Sequence, residues 1–359
     1  MSTQESQSGS RHGDVHASTG TSGGGRRGGR RGGRGRRRGE ELMVPPAEFT
    51  SYYGRPVLKA SPWEADIPAY LFLGGLAGGS SLLAAGADLT GNTALKRPAR
   101  LTALGAISLS FAALVHDLGR PARFHHMLRV AKPTSPMSVG TWILTGYGPL
   151  AGLAGASEMS GLVGAVLPTK WKWLAPVLKA LGRPAGLGAA VLAPAVAAYT
   201  AVLVSDTATP TWHEGYREMP FLFVGSASAA SGGLGLIVAP PSKAGAARNL
   251  AVGGAVLDLA AEHQMEKSQG LAAEPMHEGT PGKLNKAAKY LTAAGAVGAL
   301  AGRRSRVVSA ASGAALFVGS ICTRFGLFYA GQESAKDPKY TVVPQRERVT
   351  DQGDLTRSA

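Results

Sequence analysis

Cysteine occurs once in the 359 residues, at Cys322. One thiol cannot build a disulfide framework, a thiolate zinc site or an iron–sulfur cluster, so Cys322 reads as a small apolar residue in a late helix. Histidine is missing where a haem would need it. The eight are His12, His16, His116, His125, His126, His213, His263 and His277, and none stands in the middle of an apolar run. Paired axial ligands must lie inside helices, which argues against a dihaem cytochrome b. His125 and His126 could ligate a metal, but adjacent histidines in a basic loop are more often solvated. No Ser-His-Asp motif is present, and no glycine-rich stretch follows a strand or precedes Lys-Ser/Thr as phosphate cradling requires. A secretory signal is not expected either, because the stretch RRGGRRGGRGRRRG at 26–39 has no short apolar core beside it.

What is present is segregated. Mean hydropathy is only +0.02, an average over two unlike parts. Residues 1–45 are Gly-, Ser- and Arg-rich and cannot bury enough apolar surface to fold, so a disordered tail is expected there. Such tails can bind RNA or acidic lipid headgroups, but a solvated basic tail is the plainer reading, and no nucleic-acid partner is expected. Beyond it, apolar blocks alternate with short basic loops, and runs of 18 or more apolar residues indicate transmembrane helices. Eight candidate spans follow: 66–88, 100–117, 139–161, 186–205, 219–239, 247–263, 287–302 and 306–330. The sixth, with Asp258 between Arg248 and Glu262, and the short seventh are the least apolar. The expected organisation is the tail, a membrane domain over 46–335 and a polar C-terminal tail over 336–359. The abundant glycines read as helix-packing residues, since small side chains let membrane helices approach closely.

Two segments resemble each other. Asp66-Ile67-Pro68 opens the first span and Glu218-Met219-Pro220 the fifth, each followed by aromatics and then Gly, Ala and Ser. Four spans separate the copies, so both would cross in the same direction, as two four-helix halves related by an axis along the membrane normal. With eight spans the distinctive polar residues gather on one face: Trp63, Glu64, Asp66, Tyr70, His116, Asp117, Arg120, Tyr199, Asp206, Trp212, His213, Glu218 and His263. Ionisable groups at bilayer depth are expensive and usually mark a site or a proton path. Trp63, Trp212 and the outer acids read as interfacial anchors and caps; Asp66, Tyr70, His116, Asp117 and Tyr199 together read as a site. Rings that donate hydrogen bonds, beside carboxylates at a membrane surface, suit a quinone headgroup, whose carbonyls need donors and whose reduction needs protons.

Four stretches carry a family resemblance: AYLFLGGLAGGSSLLA in the first span, HDLGRPARFHHMLRVAKPTSPMSVGTWIL at 116–144, YTAVLVSDTATPTWHE from Tyr199, and RFGLFYAGQESAKDP near the C-terminus. From about residue 60 to 340 the chain resembles the NrfD/polysulfide-reductase membrane subunits. The resemblance implies an all-α integral membrane protein of eight transmembrane helices in two four-helix bundles, without haem, lodged in the cell membrane. It implies a bound quinone, menaquinone or ubiquinone, near the face where a ferredoxin-like iron–sulfur subunit docks, and a molybdopterin-type catalytic subunit beyond. By position, Tyr70 and Tyr199 are the implied quinone hydrogen-bonders, with His116, Asp117 and Arg120 in the adjoining loop. Asp66, His116 or Asp117 would exchange protons with water. Glu158 and Asp258 are further intramembrane acids, which either form a proton path or are neutralised structural acids.

Two other classes remain open on sequence. A transporter or channel would suit a repeat with intramembrane acids, although transporter sites lie at the midplane and these groups lie near one face. A purely structural anchor would hold a redox partner without quinone. Loop charge does not settle the orientation: the plainer face carries more Lys and Arg, which places it inside, while the Arg-rich tail argues the reverse.

Overall fold

The computed structural model describes residues 55–166 and 168–357. The predicted tail, 1–45, lies outside them. No strand occurs among the described residues, and eight long helices dominate: α1 (Asp66–Leu89), α2 (Thr93–His116), α3 (Pro136–Glu158), α5 (Leu174–Ser205), α7 (Met219–Val238), α8 (Gly245–Gln269), α9 (Gly279–Ala301) and α10 (Arg306–Lys336). Shorter pieces join or follow them: α4 (Ser160–Val166), α6 (Pro210–Glu214), α11 (Lys339–Arg357) and 3-10 turns at Pro121–Leu128, Thr169–Trp171 and Gly270–Met276.

The helices outrun the apolar stretches that announce them. The second and fourth begin at Thr93 and Leu174 rather than near 100 and 186. Lys96, Arg97 and Pro98 interrupt the start of α2, and Lys179, Arg183 and Pro184 that of α5, so hydropathy alone finds only the apolar stretches that follow. Residues 339–357, expected as a polar tail, form α11. Five helices, α1, α2, α5, α7 and α10, are long and apolar enough to cross a membrane; α3, α8 and α9 are not counted among them, and α8 carries Arg248, Asp258 and Glu262 on buried positions.

Contacts close the helices into rings. α1 packs on α2, α2 on α3, α3 on α5 and α5 back on α1; α7, α8, α9 and α10 repeat the pattern. Contacts between the rings come in matched pairs: α5–α7 with α1–α10, and α2–α7 with α1–α8. At the centre α1 meets α7. A Cβ on Gly75 would stand 3.1 Å from the Cβ of Ala227, and one on Gly79 2.9 Å from the Cβ of Ser231. Numbers rise together along both helices, so α1 and α7 run parallel, with Gly75 and Gly79 each beside the residue 152 positions on. The Ser231 hydroxyl donates to the Ala227 carbonyl of its own helix at 2.8 Å and lies 3.2 Å from the Leu76 carbonyl across the seam.

Other glycines do the same between neighbours. A Cβ on Gly232 would lie 2.4 Å from the Ala251 nitrogen, and one on Gly225 2.5 Å from the Asp258 nitrogen. The packing role is not general, however: Gly105, Gly148 and Gly152 have nothing within 4 Å of where a Cβ would sit.

Candidate functional site

The three-residue link between α1 and α2 makes them an antiparallel hairpin, so the start of α1 meets the end of α2. Asp66 stands in the first turn of α1 and His116 is the last residue of α2, each where its charge complements the helix dipole. The Nδ1 of His116 lies 2.7 Å from Oδ2 of Asp66, and both side chains are open to solvent. One turn further in, Tyr70 is buried, and its hydroxyl hydrogen-bonds that of Tyr199 from the last third of α5. Ser110 of α2 donates to the Tyr70 carbonyl at 3.2 Å.

Gly140 of α3 makes room for this pair. A Cβ there would stand 2.5 and 2.6 Å from two carbons of the Tyr199 ring. Beside the phenols is a cavity of about 150 Å³ bordered by Trp63, Ile67, Asp117, Thr141 and Leu203 as well as by both tyrosines. Its walls are chiefly apolar. Asp117 sits at the rim just past α2; burial pushes its carboxyl pKa up, and the nearby carboxylates of Asp66 and Glu64 push the same way, against a backbone hydrogen bond at Glu64 that pulls it down. Of the residues singled out from sequence, the structure therefore brings Asp66 to His116 and gathers Tyr70, Tyr199 and Asp117 round one cavity. Arg120 is exposed and is not among the residues lining it.

The tryptophans differ from their expected role as interfacial anchors. Trp212 has no exposed surface; its Nε1 donates to the Leu327 carbonyl at 3.0 Å, and Trp63 stacks on it with ring centroids 5.9 Å apart. Gln332 of α10 donates to the Trp63 carbonyl at 2.7 Å. The two repeat copies thus clamp each other at the cavity wall, which only the pairing of the rings could disclose.

Glu158 and Asp258 are not brought together. Glu158 ends α3 at the far side of the first ring, where Arg100 donates to it at 2.8 Å and Lys96 lies 3.9 Å away; Asp88 shares both cations at 3.3 and 3.5 Å. Asp258 lies buried in the second ring, on one face of α8 with Glu262 and Glu266 at four-residue steps. Lys289 reaches Glu266 at 2.7 Å and Glu262 at 3.8 Å, and His277 stands 3.6 Å from Glu266. Arg324 of α10 is the buried group that sequence reasoning passed over. It donates to the Phe223 carbonyl at 2.6 Å with its guanidinium carbon 3.6 Å above the Phe223 ring. Its trace was in the sequence: an arginine inside an apolar run is costly unless satisfied.

Among the described residues no group of three or more His, Cys, Asp or Glu side chains could hold a metal; His125 and His126 are exposed and lie edge to face at 4.5 Å. A quinone headgroup fits the phenol cavity chemically. In a hydroxyl pair one hydrogen is spent between the two oxygens and the other stays free to donate, so the pair offers one donor to a carbonyl, inside apolar walls that suit a flat ring. Tyr70 and Tyr199, the hydrogen-bonders that the resemblance implies, stand with their hydroxyls bonded to each other.

Comparison with known proteins gives the family of the chain. The family model described as polysulphide reductase, NrfD, matches residues 57–248, more than half of the chain. No curated protein matches it.

Proposed function

The chain belongs to the NrfD family of polysulphide reductase, and from that premise we propose that it binds a quinone beside Tyr70 and Tyr199. It would pass electrons between the quinone pool and a partner iron–sulfur subunit, ahead of a molybdopterin-type catalytic subunit. Membership makes it a multi-pass membrane subunit of an oxidoreductase complex; the quinone, the partners and the cell membrane as its location are the proposal. The observation that carries it is the buried phenol pair at the wall of an apolar cavity whose rim holds Asp117.

A bound quinone supplies a couple that takes up two electrons and two protons. The residues of the chain orient it and manage those protons. The free hydroxyl hydrogen of the Tyr70–Tyr199 pair donates to a carbonyl and fixes the ring; Ile67, Leu203 and Trp63 exclude water from its faces. Asp117, at the rim, carries protons between the cavity and the exposed His116–Asp66 pair, which equilibrates with bulk water.

We place all eight long helices across the bilayer as two four-helix bundles. The closed contact rings and their matched cross-contacts support this, as do lengths of 23, 25 and 23 residues for α3, α8 and α9, since about 20 suffice. Three of the charges that lower the hydropathy of α8, Arg248, Asp258 and Glu262, are buried. Asp258, Glu262 and Glu266 form an interior line of acids toward His277, suited to proton movement, whereas the ion pairs of Glu158 support a structural role.

The test is binding and quinone-linked turnover in the assembled complex carrying Tyr70→Phe, Tyr199→Phe and both together. Loss of turnover with assembly intact supports the quinone site. Unchanged turnover in the double variant would leave a structural anchor as the better reading.

A further inference from the structure

The phenol cavity does not end at its own walls. A second cavity of about 110 Å³, lying under the 121–128 turn, shares Leu114, Met127, Thr141 and Leu144 with it. A third, of about 320 Å³, shares Phe111 and Leu144 with the second and extends to Leu104, Gly148 and Gly152. The three adjoin one another in a line along the seam of α2 and α3, here called the groove. On α2 it runs from Leu114 to Leu104, about 15 Å at 1.5 Å per residue.

The groove is built apolar and bounded. Thr141 and Thr145 spend their hydroxyls on the Met137 and Thr141 carbonyls of their own helix, at 2.9 and 2.8 Å, so their methyls are left to face outward. Gly148 and Gly152 form an open floor, with nothing within 4 Å of a Cβ. One turn on, the helices close: a Cβ on Gly155 would meet Leu104 at 2.7 Å, which ends the groove. Near the other end the turn lies over it. Met127 is half-buried, and Phe124 packs edge-on against Phe111 with centroids 5.7 Å apart.

We propose that this groove seats the isoprenoid tail of the quinone whose headgroup lies at Tyr70 and Tyr199. The assignment rests on the quinone reading above. Continuity with the phenol cavity favours one molecule with a ring at one end and a hydrocarbon chain at the other. The phenol cavity is chiefly apolar and has no Lys, Arg or His among its lining residues to pair with the phosphate of a phospholipid; a quinone head is neutral. The tail anchors the head and sets the preference for long-chain quinones. The 121–128 turn covers the junction of head and tail.

The test uses the full chain in phosphatidylcholine nanodiscs, with tail-less menadione and menaquinones of short and long tail as probes. Binding is read in wild type and in the Gly148→Leu, Gly152→Leu double variant, which fills the floor without meeting a neighbour at Cβ. Ser108→Leu fills the same groove from α2, so a folding defect in one variant leaves the other to decide. Comparing variant with wild type for each probe cancels partition into the lipid. Long-tailed quinone should bind about tenfold more weakly to the variants, the cost of displacing one or two buried methylenes, with menadione unchanged. An equal loss for all probes, or no loss for the long tail, overturns the groove assignment. So does a wild type that shows no tail preference, which would leave a lipid acyl chain as the occupant. Wild type that binds no probe at all overturns the quinone site itself, a different outcome from a lost tail preference.

Discussion

Removing the hydroxyl of Tyr199 leaves that of Tyr70 free to donate, and the converse holds, so the two single phenylalanine variants should be mild and the double one severe. Each single change should weaken quinone binding about threefold to tenfold, the worth of one net hydrogen bond, and the double change more than the product. Equilibrium binding to the purified full chain checks this. Gly140→Ala should reach a similar loss without touching a hydroxyl, because its methyl would stand within 2.6 Å of the Tyr199 ring; restored binding on pairing it with Tyr199→Leu would contradict the role given to the ring. The sequence marked both tyrosines but not their partnership, since 129 positions separate them. Gly140 looked like any other packing glycine.

At the scale of elements, close helix approach and terminal docking set the stability. A side chain at Gly232 must push against the Ala251 backbone, so Gly232→Leu should lower the melting temperature of the solubilised chain by loosening α7 from α8. Overpacking of this kind costs about 1–3 kcal/mol. Gly105→Leu, into open space, should leave it unchanged. α11 is held at its start by Glu274, which Lys339 approaches at 2.5 Å and to which Tyr340 donates at 3.1 Å. The hydrogen bond from Lys339 lowers the Glu274 pKa below the ordinary carboxylate range, and that from Tyr340 adds to it. A depressed carboxyl stabilises the docked helix above its undocked pKa, and that contribution is lost as pH falls through the docked value. Hydrogen exchange of residues 340–348 should therefore speed up in acid, and Glu274→Gln should bring the fast rate to neutral pH. No acid-induced change in the wild type would remove Glu274 as the tether.

For the whole molecule, the eight crossings proposed here put the loops near 91, 168, 242 and 303 on one side and those near 119, 215 and 278 on the other. Cys322 is the only thiol, so a Cys322→Ser background allows single cysteines at these loops to be labelled from each side. Only the two-sided pattern is compatible with α3, α8 and α9 crossing. Mild solubilisation of native membranes should bring down an iron–sulfur subunit with the chain; recovery of the chain alone or as a homo-oligomer would argue for a transporter instead. The repeat is asymmetric in its chemistry, because the counterpart of Tyr70, 152 positions on, is the buried Leu222. Only the first ring carries the phenol pair, while the second encloses Asp258 and Arg324.

Helix type and membrane character were decided by local composition, since long runs of small apolar residues have no other stable use for their backbone hydrogen bonds, and the likeness of Asp66-Ile67-Pro68 to Glu218-Met219-Pro220 pointed to the repeat. The polar face was legible too, because charge is too costly in a bilayer to be scattered at random. Side-chain partnership was not. Whether Glu158 carries a proton or joins Arg100, whether a tryptophan faces lipid or another tryptophan, and whether a glycine packs a helix or opens a groove depend on which helix lies across from it. Those neighbours lie tens to hundreds of residues away along the chain, and only the closing of α1 against α5 and α7 brings them within reach.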